Sequence, residues 1–377
     1  MQPHGLYNLT VDYSGTFSRN SRVGLRHGRT AVPLFLLYLK GLNSPQAFEL
    51  HTAQDAEMHL LQHTDPFNRR AWEMVGCFFQ AEGSRALVVA LPFTGKPSKL
   101  MADMLGVDRA LGSQTGIYAI KRFVEHADLI VVPQAAELLS NSQHRRFYEE
   151  LFGLARELKH YFILVDFPKT AERQAIEHWL KNLECSDAAA YFPWVWKNGR
   201  AYPPTPIVAA AYQVNDKEHS IHELPANRPL SGGFVPLLEH TPVRLHELMD
   251  MRLNVLHRFP TGEVRIWGGN TLADKLDFDG RFISVRRTLV ALRESIQQIC
   301  EPFVLEPITS DLPQFIQASL HSFFESVRRL FDPDAKDAFV AEVDIVRKHG
   351  QDIVQVDVGF NLPYAMDQIR LSLGLEG

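Results

Sequence analysis

Residues 129–166 read LIVVPQAAELLSNSQHRRFYEELFGLARELKHYFILVD, in which two apolar runs enclose an amphipathic segment. The runs Leu129–Pro133 and Tyr161–Asp166 have the length and apolar content of buried strands. Between them, the leucines of residues 147–159 recur at the spacing of one helix face. Because apolar strands that alternate with helices are typical of sheets buried on both faces, this stretch indicates a parallel or mixed sheet covered by helices.

The same alternation extends in both directions along the chain. Further buried strands are predicted at 30–39, 86–91 and 188–192, and further helices at 53–62, 71–80, 118–124 and 171–183. Prolines punctuate residues 193–240, which are therefore predicted to be loop-rich. Residues 244–331 are predicted to be mainly helical, with a continuous apolar face along Val285–Ile299.

Both ends of the chain show the period-two pattern of β-strands. Tyr7, Leu9 and Val11 alternate with polar residues near the start, and residues 353–358 and 368–373 are predicted strands near the end. A lone strand is unstable by itself, so these segments need partner edges. The predicted fold class is α/β (α+β): a mixed sheet covered by helices, then a C-terminal helical and β domain, with extended N- and C-terminal arms.

The composition is that of a globular protein. The 377 residues are 45% apolar and 22% charged, which predicts two or three domains with a sizeable core. A net charge of −5 argues against nucleic acid as a direct partner. The three cysteines are far apart, which fits a reducing compartment. No signal peptide and no apolar run long enough to span a bilayer is recognisable, so we expect a soluble, cytoplasmically made protein without stable membrane association.

Motifs that carry chemistry are scarce in the sequence. It contains no P-loop, no G-x-G-x-x-G and no G-x-S-x-G. The pairs His59/His63 and His219/His222 are better interpreted as solvated histidines than as metal ligands. Asp166 ends a predicted strand, where α/β enzymes often place functional groups, but a single acid favours a role in capping the turn at 168–172. We therefore predict no catalytic residue, no cofactor and no metal.

Three arginines lie on the predicted helix over Val285–Ile299. Arg286 and Arg293 flank its apolar face, and Arg287 points away from that face. These side chains can form a solvated surface or meet an acidic partner, and periodicity alone favours the solvated surface.

A series of short motifs, in order along nearly the whole chain, resembles the tail sheath proteins of contractile phage tails and related contractile injection systems. The segments that carry the resemblance are RTAVPLF (29–35), AAAYFPW (188–194), PPTP with VAA (203–210), ELPAN (223–227), NVLHRFP (254–260), GEVRIWG (262–268), FISVRRTL (282–289) and EPFVLEP (301–307). Each motif alone is weak, and several in the right order are a strong signal.

The resemblance implies a structural subunit that is not an enzyme. Sheath subunits stack as a hexameric or helical sheath around an inner tube and contract to drive the tube through a target envelope. In this family the terminal arms donate strands to neighbouring copies, which is β-strand addition. The candidate arm residues are Tyr7, Leu9, Val11, Ile369, Leu371 and Leu373, and the candidate contacts to the inner tube are Arg286, Arg287 and Arg293.

On this interpretation the chain divides into an N-terminal arm (1–24), an α/β sheath domain (25–243), a tube-facing domain (244–350) and a C-terminal strand arm (351–377). The implied partners are other copies of the chain, the inner tube protein, and the baseplate and tail terminator or cap proteins. Assembly is expected in the cytoplasm of the producing cell, as part of a phage tail or of a tail-like particle that is released from the cell.

Two alternatives stay open at this point. One is a baseplate-proximal or cap sheath paralogue that does not itself contract. The other, which the missing motifs disfavour, is a doubly wound α/β enzyme that uses Asp166 and the loop 193–240.

Overall fold

The computed structural model describes residues 7–10, 30–60, 65–109, 113–123, 127–169, 172–274, 276–304, 307–331, 338–348 and 351–363. The strands are β1 (Tyr7–Thr10), β2 (Pro33–Leu39), β3 (Gln46–Leu50), β4 (Ala86–Pro92), β5 (Leu129–Val131), β6 (Phe162–Asp166), β7 (Ala188–Phe192), β8 (Val195–Lys197), β9 (Arg200–Tyr202), β10 (Val235–Pro236), β11 (Leu253–Arg258), β12 (Val264–Trp267), β13 (Phe339–Lys348) and β14 (Gln351–Phe360).

The α-helices are α1 (Ala53–Leu60), α2 (Pro66–Gln80), α3 (Leu100–Leu105), α4 (Ala135–Leu138), α5 (Asn141–Leu158), α6 (Arg173–Leu180), α7 (Thr205–Glu218), α8 (Pro242–Asp250), α9 (Phe278–Arg281), α10 (Ile283–Cys300) and α11 (Leu312–Ser326). Short 3-10 helices cover Pro97–Lys99, Gly116–Arg122, Glu301–Phe303 and Arg328–Leu330. The segment predicted as a helix over 118–124 is thus a 3-10 helix that begins two residues earlier.

An eight-stranded sheet forms the centre of the molecule, in the order β12-β11-β7-β6-β5-β2-β4-β3. The six strands from β11 to β4 run parallel, and β12 and β3 add antiparallel edges. Alternate residues of β2 enter different cores: Leu36 packs with α5 on one face and Phe35 packs with α2 and α7 on the other. The mixed sheet covered by helices on both faces is confirmed.

The prediction that residues 193–240 are loop-rich is wrong for a large part of that stretch. Residues 205–218 form the helix α7, with Pro206 in its first turn, where the missing backbone N–H costs nothing. A run of three alanines, residues 209–211, then favours the helix. Pro203, Pro204 and Pro206 mark where α7 begins, whereas residues 219–234 are irregular, as predicted.

A small antiparallel sheet, β9-β8-β10, covers one end of the same region. Asn198 and Gly199 connect β8 to β9 with φ of 50° and 79°. Both values are in the left-handed range, as expected for a two-residue type I′ hairpin turn, which strongly prefers Asn-Gly.

A third core joins α10 and α11 to a terminal sheet in the order β1-β14-β13. Its centre is a group of phenylalanine rings, in which Phe324 of α11 lies 5.3 Å from Phe360 of β14 and 5.0 Å from Phe339 of β13. The predicted strand at 353–358 is confirmed within β14, whereas β13 is a strand that the sequence interpretation missed. The predicted strand at 368–373 lies outside the described residues.

Two boundaries of the predicted domain division can be compared with the positions of the strands. β11 and β12 follow the proposed boundary at 243/244, yet they continue the eight-stranded sheet. The boundary at 350/351 falls in the turn between β13 and β14, which pair along their whole length. The division into four segments stays a prediction.

Candidate assembly surfaces

The first candidate surface is the terminal sheet. β13 and β14 pair antiparallel over ten residue pairs, from Phe339↔Phe360 to Lys348↔Gln351. Ala341 and Val343 of β13 are buried in the third core, together with Val358 of β14. Gln317 of α11 donates a hydrogen bond from Nε2 to the carbonyl oxygen of Ala341 at 2.9 Å. The hairpin is thus fixed on α11 by apolar contacts and one polar contact.

β1 occupies one edge of this sheet. It pairs antiparallel with β14 of the same chain, from Tyr7↔Phe360 to Thr10↔Asp357. Two of the candidate arm residues, Tyr7 and Leu9, lie in this strand. The others, Val11, Ile369, Leu371 and Leu373, lie outside the described residues.

The opposite edge of the sheet belongs to β13. In the part of the chain that the structure describes, no strand pairs with the outer edge of β13. Val340 and Ile345 of this strand are 36% and 40% exposed. A long edge strand presents backbone donors and acceptors that a further strand can pair with.

The second candidate surface contains the three arginines of α10. Arg286 donates hydrogen bonds from Nε and Nη2 to Oδ1 of Asp187, at 3.1 and 2.7 Å. Asp187 directly precedes β7. Arg293 donates from Nη1 to the carbonyl oxygen of Lys159 at 3.1 Å. Both arginines are therefore engaged with the amino ends of the sheet strands.

Arg287 is almost completely buried. Its side chain is 2% exposed and forms a bidentate pair with Asp216 of α7, at 2.9 and 2.7 Å. A second carboxylate, that of Asp128, lies 3.6 Å from Nη2, and the ring of Tyr212 lies 4.6 Å from the guanidinium. Burial alone would lower the pKa of Arg287, and the facing carboxylates outweigh burial and raise it.

The interpretation of these arginines as a solvated surface is wrong for Arg287. The apolar periodicity of α10 identifies the face that packs on α11, and Arg287 does point away from that face. However, the opposite face of α10 is also covered, because it lies against the amino ends of the parallel strands. Helical periodicity shows where apolar residues lie and does not show what covers the polar face.

A histidine and a glutamate complete this contact. Glu294 of α10 pairs with Nδ1 of His160, whose Nε2 lies 2.8 Å from the carbonyl oxygen of Ala127. Burial opposes the charged imidazolium, but Glu294 outweighs it and raises the pKa of His160. Asp128 accepts hydrogen bonds from the backbone of Ala31 and Val32, and burial raises its pKa to about 6. We call this set of contacts between α10 and residues 128, 159–160, 187 and 216 the α10 joint.

The same architecture occurs in solved structures of contractile sheaths. A chain in the structure of the anti-feeding prophage (AFP) helical sheath in its contracted state matches with a TM-score of 0.72, over 97% of this chain and all of that one, at 20% identity. This chain has the contractile sheath fold.

Two further structures agree with that assignment. A chain of the contracted sheath complex of PVC, an extracellular contractile injection system, matches with a TM-score of 0.67 at 18% identity, over 97% of this chain and 98% of that one. A chain of the AFP baseplate matches with a TM-score of 0.72 at 21% identity, over 97% of this chain and all of that one. No family model and no curated protein matches the sequence.

Asp166, the strand-end acid of the enzyme alternative, is engaged by the start of α7 in this fold. Asp166 is fully buried and accepts hydrogen bonds from the backbone N–H of Thr205, at 2.8 Å, and from the Thr205 hydroxyl. It therefore pairs with the first backbone N–H of α7. Residues 170–171 of the 168–172 turn lie outside the described residues, so the predicted role of Asp166 at that turn stays a prediction. Burial raises the pKa of Asp166 to about 8.

The histidine pairs form no metal centre that the structure describes. His59 is exposed and stacks on Phe48 at 4.5 Å, and His219 lies 4.0 Å from Glu223. His63 lies outside the described residues. Within the ranges described above, no group of three or more His, Cys, Asp or Glu side chains could hold a metal ion. In the same ranges, no helix has the length and apolarity needed to cross a bilayer.

Two features of the sheath fold were overlooked although the sequence contains their signals. In residues 341–345, Ala, Val and Ile alternate with Glu and Asp, which is the period-two signal of β13. Asn198-Gly199 between Trp196-Lys197 and Arg200 is the short-range signal of the β8–β9 hairpin.

The α10 joint generates a stability prediction. Arg287→Met leaves the buried carboxylate of Asp216 without its counter-charge, so we expect the free energy of unfolding to fall by about 3–5 kcal/mol. The double variant Arg287→Met/Asp216→Leu removes both charges and should regain much of that loss. The measurement is urea denaturation of unassembled protein, followed by circular dichroism.

The matched control is Arg328→Met, because that arginine is 60% exposed and pairs with Glu325 at the surface. It should cost less than about 1 kcal/mol. Equal losses for the buried and the exposed arginine would contradict the role assigned to the joint.

Proposed function

We propose that this protein is a structural subunit of a contractile sheath, which polymerises around an inner tube and contracts to drive the tube through a target envelope. The observation that carries the proposal is the match over 97% of this chain and all of a chain in a contracted AFP sheath. Contraction needs two packings of the same subunit in the polymer.

Strand exchange between copies is the means of polymerisation that we propose. β1 pairs with β14 in a fixed backbone register, and a second copy presents the same β14 edge. Exchange would therefore keep the same pairs and lose none of them. Residues 11–29 connect β1 to the body, and a chain of that length spans up to about 65 Å. The outer edge of β13 would accept the C-terminal strand that contains Ile369, Leu371 and Leu373.

A pair of cysteines can show which copy supplies β1. Leu9 and Val358 are register partners, so Leu9→Cys/Val358→Cys can form a disulfide across β1 and β14. In polymers with exchanged strands, oxidation should join different copies and give a ladder of linked chains on a denaturing gel without reductant. Replacing the half-buried Cys300 with Ser in every variant limits side reactions.

The matched control is Ala341→Cys/Val358→Cys, because these residues pair between β13 and β14 of one hairpin. It should run as a single chain in the same polymers. If the Leu9/Val358 pair also runs as a single chain in assembled polymers, strand exchange through β1 is rejected.

Contact with the inner tube through α10 is also part of the proposal. Of the candidates Arg286, Arg287 and Arg293, the guanidinium of Arg287 is held inside the subunit by Asp216. Arg293 has only one hydrogen bond, to a carbonyl oxygen, among the contacts described above and is partly exposed, so it is the best of the three to meet an acidic tube surface.

Arg293→Glu should therefore weaken co-sedimentation of sheath polymers with the inner tube and leave self-polymerisation intact. The control is Arg146→Glu on α5, an exposed arginine outside the α10 joint. Unchanged co-sedimentation of the Arg293→Glu variant would exclude this residue from a tube contact.

A baseplate-proximal sheath subunit is the second candidate, because a chain of the AFP baseplate matches with the same TM-score of 0.72. Baseplate and tail terminator or cap proteins would be partners in either case. We place assembly in the cytoplasm of the producing cell, within a phage tail or a tail-like particle.

A further inference from the structure

The small sheet β9-β8-β10 has an outer face that neither the terminal sheet nor the α10 joint uses. Its inner face contributes Val195, Tyr202 and Phe234 to the core. Trp196 is the register partner of Val235 on one side and of Ala201 on the other, so these side chains share the outer face. Trp196 is 43% exposed and Val235 is 39% exposed.

This face opens onto a cleft of about 980 Å³ at the carboxyl ends of β6 and β7. Trp194 forms its floor and is 4% exposed, and its indole Nε1 donates to the carbonyl oxygen of Phe167 at 2.6 Å. Trp196 lies at its mouth, beside the type I′ turn of the β8–β9 hairpin. The tight turn holds Trp196 on a short, hydrogen-bonded hairpin rather than on a loose loop.

Two cations line the cleft near its exposed part. Arg200 is 58% exposed and pairs with Glu73, and Lys169 is exposed. The inner cation, Arg70, is compensated within the subunit by Glu137 and Glu73. Around the cleft, three cations (Arg70, Lys169 and Arg200) thus face two carboxylates (Glu73 and Glu137), so the exposed Trp196 ring lies beside a small excess of positive charge.

Tryptophan and arginine are enriched at protein interfaces, and they dominate binding energy when they lie beside a pocket. The chain as a whole has 44 acidic and 39 basic residues and a net charge of −5, which is opposite in sign to the excess charge at the cleft. Charge complementarity thus favours a second copy of the chain as the occupant.

We infer that the Trp196 face and the adjoining cleft form a contact between copies, which an acidic surface of a second copy covers in the polymer. The inference rests on the proposed sheath function and adds a side-chain contact to the exchange of terminal strands. Backbone pairing of the arms is independent of side-chain charge, whereas this contact depends on Trp196, Lys169 and Arg200.

Hydroxyl-radical footprinting of the full-length chain tests the inference directly. Trp196 should be oxidised readily in the unassembled protein and be protected severalfold in the polymer. The internal control is Trp194, which lies in the same cleft but is buried, and should react slowly in both states. Whole particles, if the chain is prepared in them, should show the same protection as polymers of the chain alone.

Two variants test the energetic role of the face. Trp196→Ser and Arg200→Glu should raise the critical concentration for polymerisation by about tenfold or more. Trp196→Tyr retains an aromatic ring and should recover most of the loss, and Arg146→Glu is the matched charge reversal outside the cleft. Circular dichroism of each unassembled variant reports whether it is folded.

The outcomes separate this inference from the proposed function. If the wild-type chain forms no polymer at any concentration, the sheath proposal fails and this inference fails with it. If polymers form with Trp196 as reactive as in the single chain, only this inference is overturned. Protection that occurs in whole particles but not in polymers of the chain alone assigns the face to a different protein and also overturns it.

Discussion

The buried guanidinium of Arg287 is the constraint on which the arrangement of the molecule depends. A charge that is 2% exposed is stable only beside its counter-charges, and Asp216 and Asp128 supply them from α7 and from the amino end of β5. The position of α10 on the sheet is thereby fixed. α11 packs on α10, the β13–β14 hairpin packs on α11, and β1 pairs with β14. The placement of the terminal sheet relative to the central sheet thus depends in part on this ion cluster.

This dependence suits a subunit that transmits force. The terminal sheet, which we propose as the link to neighbouring copies, is connected to the body through buried contacts rather than through a flexible linker. The ion pairs Arg286–Asp187 and Glu294–His160 are two further contacts between α10 and the amino ends of the sheet strands. Under the strand exchange that we propose, copies would move as rigid bodies while the backbone pairs between them persist. The Trp196 face lies at the carboxyl ends of the parallel strands, opposite to the α10 joint at their amino ends.

Much of the fold could be predicted because short apolar runs, such as residues 162–166, identify buried strands from the sequence alone. The resemblance of short ordered motifs predicted the sheath fold, where composition and hydrophobic periodicity predicted only a globular α/β protein. The helix α7 was missed because its prolines were interpreted as breakers, although Pro206 in the first turn is compatible with a helix. The burial of Arg287 could not be predicted, because its partners Asp128 and Asp216 are distant in sequence. The pairing of β1 with β14 could not be predicted either, because pairing through the backbone places few constraints on side-chain type.

Electron microscopy of the purified full-length chain over a range of concentrations tests the central claim most directly. A sheath subunit whose contacts reside in its own terminal strands should form long striated tubes without any other protein. The account predicts such tubes above a critical concentration. Particles that stay single chains at every concentration would contradict it.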